Sequence, residues 1–512
     1  MILNQFPTRE RFVELAQTGN VVPLCIQILA DTETPVSILD KFYDKDAPLF
    51  LLESVEGGEH WARYSFLGIG AHAEVRVFSD HVRVDSRQGE QTIAHNNDPL
   101  TVLRELTRAY TPCEVPELPR FWGGLTGYFT YEMVRFFEKI PVALAPDTAY
   151  AHFIIPDAMV IFDTLKHTLT LVKIAYLDQA GRGKVQTTVK AFESASKDLD
   201  ALLEQIKAPK VPQSVRAHTP VGKKPPVMDG RPPGFTAITD PQTYIDGVKA
   251  IKQKIVEGEI IQAVFSQPFV CTAPVDPVIL YRAQRYINPS PYMFFMNFKG
   301  LTIAGSSPET MVRLERGAAT LRPIAGTRPR GKTEQEDRAL ADELLKDEKE
   351  RAEHLMLVDL GRNDLGRVAE TGSVQVTELM VVERYSHVMH LVSNIQCDLL
   401  EDLDAWDLLR ATFPAGTLSG APKVRAMEIL SGLENRPRGI YGGAAGYVSF
   451  SGNMDLAITI RTAVMENGRV TVQAGAGIVA DSDPRSELEE CRNKAKSVER
   501  AMALAVKGEY RC

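Results

Sequence analysis

The sequence GAGIVADSDPRSELEECRNKAKSVE, at residues 475–499, joins a glycine-rich turn to a helix that carries charge on one face. Pro484 suits the first turn of that helix. Glu487, Glu490 and Lys494 follow at spacings of three and four residues, so two acids and a base share one stripe. This pattern predicts a site for a small carboxylated molecule and a hard cation. The alternative is an exposed amphipathic helix with ordinary charge pairs.

The segment before this helix consists of small residues. Gly475, Ala476 and Gly477 let a ligand approach the backbone closely, with N–H groups free to bind an anion. The alternative for the two glycines is tight strand packing or a β-bulge, and both interpretations can hold together.

The whole chain has an ordinary globular composition. Its 512 residues are 44% hydrophobic and 24% charged, which is enough chain for more than one domain. The net charge of −8 argues against nucleic acid or an anionic membrane as the main partner. The sequence starts without an apolar signal segment, and no stretch is long enough to span a membrane. The six cysteines are scattered without metal-ligand spacing, so we expect a reduced, cytoplasmic protein.

A basic, proline-rich segment divides the chain. Residues 208–236 contain seven prolines and few apolar residues, which is typical of an extended linker. We therefore predict an N-terminal domain at 1–207 and a C-terminal domain at 237–512.

Runs of β-branched and aromatic residues predict strands on both sides of this linker. The predicted strands cover 50–55, 73–78, 152–163, 167–177, 260–270, 291–298, 301–307, 441–450, 456–465 and 470–479. The predicted helices cover 184–207, 241–257, 334–360, 404–411, 422–432 and 484–506. Adjacent strands without intervening helices indicate antiparallel meanders with helices on the outer faces, so the predicted fold class is α+β.

Residues 326–333, GTRPRGKT, match the phosphate-binding P-loop pattern letter for letter. The context argues against a nucleotide site, because the preceding TLRPIA is interrupted by Arg322 and Pro323. Pro329 also removes one backbone N–H from the loop. Thr333 and Glu336 instead form the capping box of a polar helix. A P-loop nucleotide-binding protein is thus a remote alternative.

Eight segments together resemble the chorismate-utilising enzymes, and most closely the branch that forms anthranilate. They are SSPE (306–309), PIAGTRPRG (323–331), AEHLMLVDLGRNDLGRV (352–368), HVMHLVS (387–393), FPAGTLSGAPK (413–423), GIYGGAAGY (439–447), AITIRT (457–462) and QAGAGIVADSDPRSELEECRNKA (473–495). They follow the family's order through nearly the whole second half. The first half resembles the family more loosely, chiefly through LLES at 51–54.

The resemblance implies a four-layer sandwich of two orthogonally packed antiparallel β-sheets flanked by helices. It also implies conversion of chorismate and ammonia into anthranilate and pyruvate, the first step of tryptophan biosynthesis. The nearest alternatives are relatives that form aminodeoxychorismate or aminodeoxyisochorismate and do not expel pyruvate.

The implied reaction also suggests a metal ion. A ring hydroxyl leaves poorly without a proton donor and electrophilic help. Mg²⁺ binds carboxylates, water and substrate oxygens. By resemblance, Glu353 and Glu490 are its ligands, while Glu350 and Glu487 stand one helical turn away as further candidates. The alternative for each residue is a solvated helical acid.

By the same resemblance, eight residues bind the substrate: Gly326, Thr327, Tyr441, Arg461, Gly475, Ala476, Gly477 and Lys494. Arg461 lies in a predicted apolar strand, where an unpaired guanidinium would be costly, so a substrate carboxylate is its expected partner. The alternative is a structural ion pair or a charge on an edge strand.

The resemblance assigns catalytic roles to Glu309, His390 and Thr417. Glu309 corresponds to the acid that protonates the departing hydroxyl, which requires a pKa raised by burial. His390 corresponds to the residue that assists removal of the ring proton with loss of pyruvate. The alternative is a buried, hydrogen-bonded core histidine, and His387 is a nearby competitor.

Two lysines found in relatives are absent from this chain. Relatives that add water to the ring carry a lysine base at the position of Gln262. Relatives that form aminodeoxychorismate carry a lysine at the position of Ala325. Glutamine and alanine cannot act as base or nucleophile, so external ammonia is the expected nucleophile.

The resemblance also implies a partner and feedback control. A separate glutamine amidotransferase subunit would supply the ammonia, with a heterotetramer as the expected assembly. LLES and PYMFFM (291–296) resemble the site where tryptophan inhibits the family, formed here by Glu53, Ser54, Pro291, Tyr292 and Met293. The alternative is two ordinary strands of a sheet.

Overall fold

Two antiparallel β-sheets with helices on their outer faces form the fold. The computed structural model describes residues 1–54, 63–178, 184–208, 234–272, 275–385 and 388–507. Within these ranges, strands are numbered β1–β25 and helices α1–α11 along the chain. Neighbouring strands in both sheets pair antiparallel throughout.

The first sheet has 13 strands. In spatial order they are β1 (Ile2–Phe6), β2 (Val21–Leu29), β11 (Thr168–Tyr176), β10 (Ala158–Asp163), β4 (Tyr64–Ile69), β3 (Leu49–Glu53), β14 (Tyr292–Asn297), β15 (Leu301–Ser307), β24 (Thr462–Glu466), β25 (Arg469–Ile478), β13 (Gln262–Cys271) and β12 (Thr236–Ala237). A short strand, β21 (Gly420–Ala421), also pairs with β13.

The second sheet has 12 strands. Their spatial order is β18 (Ile324–Pro329), β20 (Val388–Asp398), β17 (Ala318–Leu321), β16 (Thr310–Glu315), β23 (Met454–Ile458), β22 (Ala444–Ser449), β8 (Gly124–Phe129), β9 (Ala151–Ile155), β5 (Ala73–Val77), β6 (His81–Ser86) and β7 (Gly89–Ala94). The remaining strand, β19 (Gln375–Arg384), pairs with β20.

The helices lie on the outer faces of the two sheets. Those on the first sheet are α1 (Arg9–Thr18), α2 (Pro35–Phe42), α4 (Val185–Lys207), α5 (Pro241–Val256), α6 (Pro277–Ile287), α10 (Lys423–Glu434) and α11 (Pro484–Lys507). Those on the second sheet are α3 (Pro99–Arg108), α7 (Glu334–Lys346), α8 (Glu348–Gly366) and α9 (Ala405–Thr412). Two 3₁₀ turns, Tyr131–Phe136 and Gly416–Leu418, complete the described elements.

A separate apolar core joins the two sheets face to face. Phe50, Phe66 and Phe294 of the first sheet pack in one cluster with Tyr128 and Tyr447 of the second. Each sheet alternates its side chains between this inner core and a helix-covered outer core. The layers therefore run helices, sheet, sheet, helices, which confirms the predicted α+β sandwich.

Both halves of the chain contribute to each sheet. Strand β3 pairs with β14 in the first sheet, and β8 pairs with β22 in the second. The boundaries at 207 and 237 stay a prediction, and most of the proposed linker lies outside the described residues. Within the described ranges, every helix is too short or too polar to cross a bilayer.

Two predicted elements are each divided in the structure. The helix predicted over 334–360 is α7 followed by α8, and Asp347 separates them. The Asp347 carboxylate accepts hydrogen bonds from the backbone N–H groups of Lys349 and Glu350, at 3.1 and 3.2 Å, which caps α8. The strand predicted over 152–163 forms β9 and β10, which belong to different sheets.

Candidate active site

The cleft that holds the candidate site begins where two strands of the first sheet separate. Strand β24 pairs with β25 only as far as Val464 and Thr471. Beyond this pair, β24 stays with β15, whereas β25 continues along β13 to Ile478. The separation leaves one edge of the later part of β25 without a neighbour among the described strands, so a ligand can reach its backbone.

Residues 475–477 lie within β25, which confirms the strand predicted over 470–479, whereas the glycine-rich turn predicted at 475–477 is wrong. Gly475, Ala476 and Gly477 pair in register with β13. A Cβ atom on Gly475 would lie 2.9 Å from the Tyr441 hydroxyl oxygen, and one on Gly477 would lie 2.6 Å from Gln262 Nε2. Both glycines are therefore required by close approach, as the alternative interpretation of tight packing proposed.

Glu309 is a buried carboxyl at the junction of β15 and β16. The Thr417 hydroxyl, in the 3₁₀ turn 416–418, donates a hydrogen bond to Glu309 Oε1 at 2.8 Å. Burial raises the pKa of Glu309 to about 8, against the opposing effects of Thr417, Arg461 and Lys494. At neutral pH the carboxyl is mostly protonated, so it can donate a proton.

Arg461 lies between two strands and not inside one. The strand predicted over 456–465 is interrupted, because β23 ends at Ile458 and β24 begins at Thr462. Arg461 itself has φ of 50°, a left-handed conformation that is costly for a residue with a side chain. Burial lowers its pKa, and the nearby Glu309 acts in the opposite direction. Among the described residues, its guanidinium has no hydrogen-bond or ion-pair partner.

His390 is buried in β20 beside β18. Its Nδ1 lies 2.9 Å from the Gly326 carbonyl oxygen and 3.1 Å from the Thr327 hydroxyl oxygen. Because a carbonyl can only accept, we assign the proton to Nδ1, which leaves a lone pair on Nε2. Burial lowers the pKa of His390, so the ring is neutral at pH 7. His387 lies outside the described residues.

Glu353 on α8 is held by Gln262 at the start of β13. Gln262 Nε2 donates to Glu353 Oε1 at 3.3 Å, while Gln262 Oε1 is buried and has no hydrogen-bond partner within the described part of the chain. Burial raises the pKa of Glu353, and the negative charge of Glu350 acts in the same direction. Glu350 itself accepts a hydrogen bond from Arg328 at 3.3 Å.

The acidic stripe of α11 lies across the cleft from α8. Lys494 Nζ donates to the Gly475 carbonyl oxygen at 3.0 Å and pairs with Glu490 at 2.8 Å. Burial raises the pKa of Glu487, with a further contribution from Glu490. Lys349 and Lys494 act electrostatically on both Glu353 and Glu487, so the acids of the two helices share one neighbourhood.

The start of α11 matches the sequence pattern closely. The helix begins at Pro484, and the Asp483 carboxylate accepts a hydrogen bond from the Ser486 N–H at 2.9 Å. This cap fixes the first turns, from which Glu487, Glu490 and Lys494 project along one face.

The P-loop pattern does not form a phosphate-binding loop. Residues Ile324–Pro329 are strand β18, paired with β20. The Gly331 N–H donates to Asp337 at 2.9 Å, and Thr333 caps α7 through a hydrogen bond from the Glu336 N–H at 3.2 Å. The backbone groups that would cradle phosphate are thus used within the protein.

A second pocket lies between the two sheets. It is lined by Leu52, Glu53, Ser54, Tyr64, Phe66, Arg120, Pro291, Tyr292, Met293, Phe294, Ala445, Gly446, Tyr447 and Asp455. All five residues predicted for the regulatory site therefore border one cavity. Inside it, the Tyr292 hydroxyl donates to Asp455 at 2.9 Å, and Arg120 donates to Asp455 at 3.1 Å.

Because side chains alternate along a strand, these five residues do not all face the same side of the first sheet. Glu53 lies opposite Met293 in the pairing of β3 with β14. The Glu53 carboxylate accepts a hydrogen bond from the Tyr281 hydroxyl of α6 at 2.5 Å and pairs with Arg285 at 3.3 Å. Met293 joins the helix-facing core, whereas Tyr292 packs against the core between the sheets. The carboxylate of Glu53 thus already has cationic and hydroxyl partners on the helix side.

Three buried residues near the cleft are not predicted from the sequence. Arg438 and Glu434 form a buried ion pair at 2.7 Å, and Glu132 accepts a hydrogen bond from the Arg438 N–H at 2.6 Å. Glu132 comes from the N-terminal half, so no local pattern could pair it with Arg438. An arginine directly before the GIYGG segment is the single hint in the sequence.

The chain is similar to known proteins along almost its whole length. The family described as chorismate binding enzyme matches residues 50–500. Anthranilate synthase component 1 of Aquifex aeolicus (strain VF5) is 45% identical over 505 residues, which cover 97% of each chain. Anthranilate synthase component 1 of Pseudomonas aeruginosa is 47% identical over 503 residues, covering 97% of this chain and 99% of that protein.

Solved structures share the architecture. Anthranilate synthase component I from Streptococcus pneumoniae TIGR4 superposes with a TM-score of 0.72 at 36% identity, over 92% of this chain and 99% of that chain. MenF, the menaquinone-specific isochorismate synthase from Escherichia coli, superposes with a TM-score of 0.66 at 19% identity, over 96% and 98%. The second match supports the fold alone. By sequence and by architecture, this chain belongs to the chorismate binding enzyme family.

Proposed function

We propose that this chain converts chorismate and ammonia into anthranilate, pyruvate and water, as the large subunit of an anthranilate synthase. The observation that carries the proposal is a buried Glu309, whose pKa burial raises to about 8, near Arg461, whose guanidinium has no partner among the described residues. A dicarboxylate substrate that must lose a hydroxyl group needs both a fixed cation and a proton donor. The names of the relatives agree with this activity.

Arg461 and Lys494 are proposed to bind the substrate carboxylates. A buried guanidinium is stabilised by an anion with which it forms paired hydrogen bonds, so binding compensates its desolvation. Gly475 and Gly477 carry no side chain and lie where β25 has left β24, which allows the ring to lie against β25, with Tyr441 behind it. Gly326 and Thr327 border the opposite side of the same cleft, beside His390.

Glu309 is proposed to act in the first step. Ammonia attacks the ring, the hydroxyl leaves with the Glu309 proton as water, and the Glu309 carboxylate remains. Thr417 holds Glu309 Oε1 at 2.8 Å, which orients the carboxyl and stabilises the carboxylate when it forms. In the second step, the neutral Nε2 of His390 is the proposed base that assists removal of the ring proton as pyruvate leaves.

Mg²⁺ is proposed to bind between α8 and α11. Glu353 and Glu490 would hold it directly, and Glu350 and Glu487 directly or through water. This all-oxygen donor set fits Mg²⁺, which commonly takes one or two carboxylates and completes its shell with water and ligand oxygens. Burial and like charge raise the pKa values of Glu353 and Glu487, which is expected where a cation normally offsets neighbouring acids. When bound, the ion supplies electrophilic assistance to substrate oxygens.

Replacing Glu490 by glutamine tests the metal site. We expect Glu490→Gln to weaken Mg²⁺ binding by about 10- to 100-fold, because one of few anionic ligands is lost. Titration calorimetry of the protein with MgCl₂ alone measures this without turnover. Glu489→Gln is the matched control, since Glu489 is exposed and pairs with Arg492. Equal Mg²⁺ affinity in both variants would refute the ligand role of Glu490.

The ammonia is proposed to come from a glutamine amidotransferase subunit, in a heterotetramer. The description "component 1" of the relatives supports the presence of a second component. Tryptophan is proposed to bind the second pocket and to inhibit the reaction. The support is that Ser54, Pro291 and Tyr292 border a cavity whose apolar lining suits an indole ring.

One assay tests the proposed activity. The purified chain is given chorismate, ammonium chloride and MgCl₂, and the appearance of fluorescent anthranilate is followed together with pyruvate release. Formation of an aminated product without pyruvate would instead assign the chain to the aminodeoxychorismate-forming branch. Unchanged chorismate with every nitrogen source would contradict the proposal.

A further inference from the structure

A buried arginine connects three segments that carry proposed active-site residues. Arg438 follows α10, which ends at Glu434, and only 2% of the Arg438 side chain is exposed. It donates to Glu434 twice, from Nε at 2.7 Å and from Nη2 at 2.8 Å. This bidentate pair balances the charge, so the remaining N–H groups can be directed at neutral carbonyl groups.

Those remaining groups bridge a turn and a strand. Arg438 Nη1 donates to the Leu418 carbonyl oxygen at 2.6 Å, and Nη2 donates to the Val264 carbonyl oxygen at 2.7 Å. Leu418 follows Thr417 in the 3₁₀ turn, and Val264 lies opposite Gly477 in the sheet. The guanidinium therefore fixes the turn that orients Glu309 against the strand that supports the substrate.

The same side chain also contacts the wall of the cleft. Its guanidinium carbon lies 4.4 Å from the ring centre of Tyr131 and 5.9 Å from that of Tyr441. Both distances are within the range of cation–π contact. Tyr441 in turn approaches Gly475, where a Cβ atom would lie 2.9 Å from its hydroxyl oxygen.

The surroundings hold Arg438 in one position. Glu434 Oε1 accepts hydrogen bonds from the Ser266 N–H at 2.9 Å and the Ser266 hydroxyl at 2.8 Å. Glu132 accepts from the N–H groups of Arg438 and Gly439, at 2.6 and 3.0 Å. The network is buried and hydrogen-bonded at every one of these groups, which is the condition under which a polar core specifies a single geometry.

We propose that Arg438, held by Glu434 and Glu132, is a positioning residue for the reaction: it places Thr417 for its contact with Glu309 and fixes Tyr441 behind the substrate. The proposal rests on the proposed anthranilate-forming function. Arg438 itself touches no reacting atom, because its donors are used by Glu434, Leu418 and Val264. The N-terminal half thus acts on the catalytic turn through Glu132.

A double-mutant cycle tests this role. Arg438→Lys keeps the charge for Glu434 but loses the fork that reaches two carbonyl groups. We expect kcat for anthranilate formation to fall about 100-fold, as for a misplacement of about 1 Å. In a Thr417→Ala background the same change should cost less than about threefold, because both act through one contact. If Arg438→Lys and Thr417→Ala lower kcat independently, so that their factors multiply in the double variant, the proposal is wrong.

Arg104→Lys is the matched control. Arg104 also forms a bidentate pair, with Asp404 at 2.8 and 3.1 Å, but it joins α3 to α9 away from the cleft. Arg104→Lys should lower kcat only slightly. In the double variant with Thr417→Ala, the two factors by which kcat falls should multiply. Ser266→Ala is a milder variant that keeps Arg438 and removes one donor to Glu434. It should lower kcat about threefold to tenfold, again with less effect when Thr417 is alanine.

Amide hydrogen exchange provides a readout that does not depend on activity. In Arg438→Lys we expect the N–H groups of residues 415–421 to exchange at least about tenfold faster, since the clamp on Leu418 is lost. Arg104→Lys should leave this segment unchanged. Unchanged exchange in Arg438→Lys would overturn the inference even if the proposed activity is correct. If the wild-type protein forms no anthranilate but exchange is faster in Arg438→Lys, the proposed function is contradicted, while the contact between Arg438 and Leu418 is supported.

Discussion

The two pockets of this protein treat buried charge in opposite ways. In the cleft at β25, the Arg461 guanidinium has no partner among the described residues, and Glu309 has one neutral hydroxyl partner. In the pocket between the sheets, Arg120 pairs with Asp455 at 3.1 Å and donates to Tyr447 at 3.1 Å. The fold thus leaves the Arg461 guanidinium of the cleft without a paired carboxylate and pairs the Arg120 guanidinium of the second pocket.

This difference is the one we expect between a site for chemistry and a site for binding alone. An uncompensated buried charge costs stability, so its presence is explained by a ligand that completes it. A compensated pair gives no such indication, and a ligand there must compete with existing hydrogen bonds or use apolar contacts. The cleft is therefore suited to binding an anionic substrate that reacts, and the second pocket to binding a ring through apolar contacts.

The largest expected effect is the loss of the proton donor. Glu309→Gln should lower kcat for anthranilate formation about 1,000-fold, because general acid catalysis contributes about 10²–10⁴. Circular dichroism should show an unchanged fold, since the amide can accept the Thr417 hydrogen bond. If Glu309→Gln keeps activity within tenfold of wild type, another group donates the proton to the leaving hydroxyl. The main difference between the two pockets would then be lost.

The pH dependence of the same group gives a second test. The carboxyl of Glu309 faces Arg461, Lys494 and Thr417, and burial raises its pKa to about 8. The protonated form is the donor, so kcat/KM should fall as pH rises above about 8. Because this pKa is raised above its usual value near 4.5, stability from the neutral form is present below pH 4.5 and is lost between pH 4.5 and 8. Glu309→Gln should therefore be more stable than wild type at pH 9, by thermal denaturation.

Removing the compensated arginine should mainly affect folding. Arg120→Met removes the nearer cation of the buried Asp455 and leaves it only the longer ion pair with Arg313 at 4.0 Å, so the free energy of unfolding should fall by about 3 kcal/mol. Urea denaturation followed by fluorescence measures this change. Stability equal to that of wild type would show that the second pocket does not depend on its internal ion pair.

Removing the uncompensated arginine should have the opposite signature. Arg461→Met should raise KM for chorismate about 100-fold, while the free energy of unfolding is unchanged or higher by about 1 kcal/mol. The reason is that no protein anion within the described residues loses a partner when the guanidinium is removed. The same urea series measures both arginine variants, and a large loss of stability in Arg461→Met would end the comparison.

Much of this contrast follows from sequence. Local rules predict the start of α11 at Pro484 and a strand over 470–479, because each depends on neighbours within one turn or strand, whereas the acid role of Glu309 comes from the family resemblance. The left-handed backbone at Arg461 is less accessible, since tertiary packing overrides an apolar run there. The break at Asp347 follows a local capping rule, but the helical pattern continues on both sides of it and conceals the break. Successive side chains of a strand point to opposite faces of the sheet, so the direction of Glu53 toward α6 depends on the exact register of β3 with β14.

The smallest expected effect concerns the second pocket. Ser54→Phe places a ring at the border of the cavity, so tryptophan should lose space and the concentration for half-inhibition should rise at least about tenfold, or 1.4 kcal/mol. Turnover without tryptophan should stay near that of wild type, because Ser54 borders the pocket between the sheets, whose lining includes none of the proposed catalytic residues. Ser194→Phe on the exposed face of α4 is the control for the added ring. Unchanged inhibition in Ser54→Phe would place the inhibitor elsewhere, and the pocket between the sheets would then be a structural cavity held open by Arg120 and Asp455.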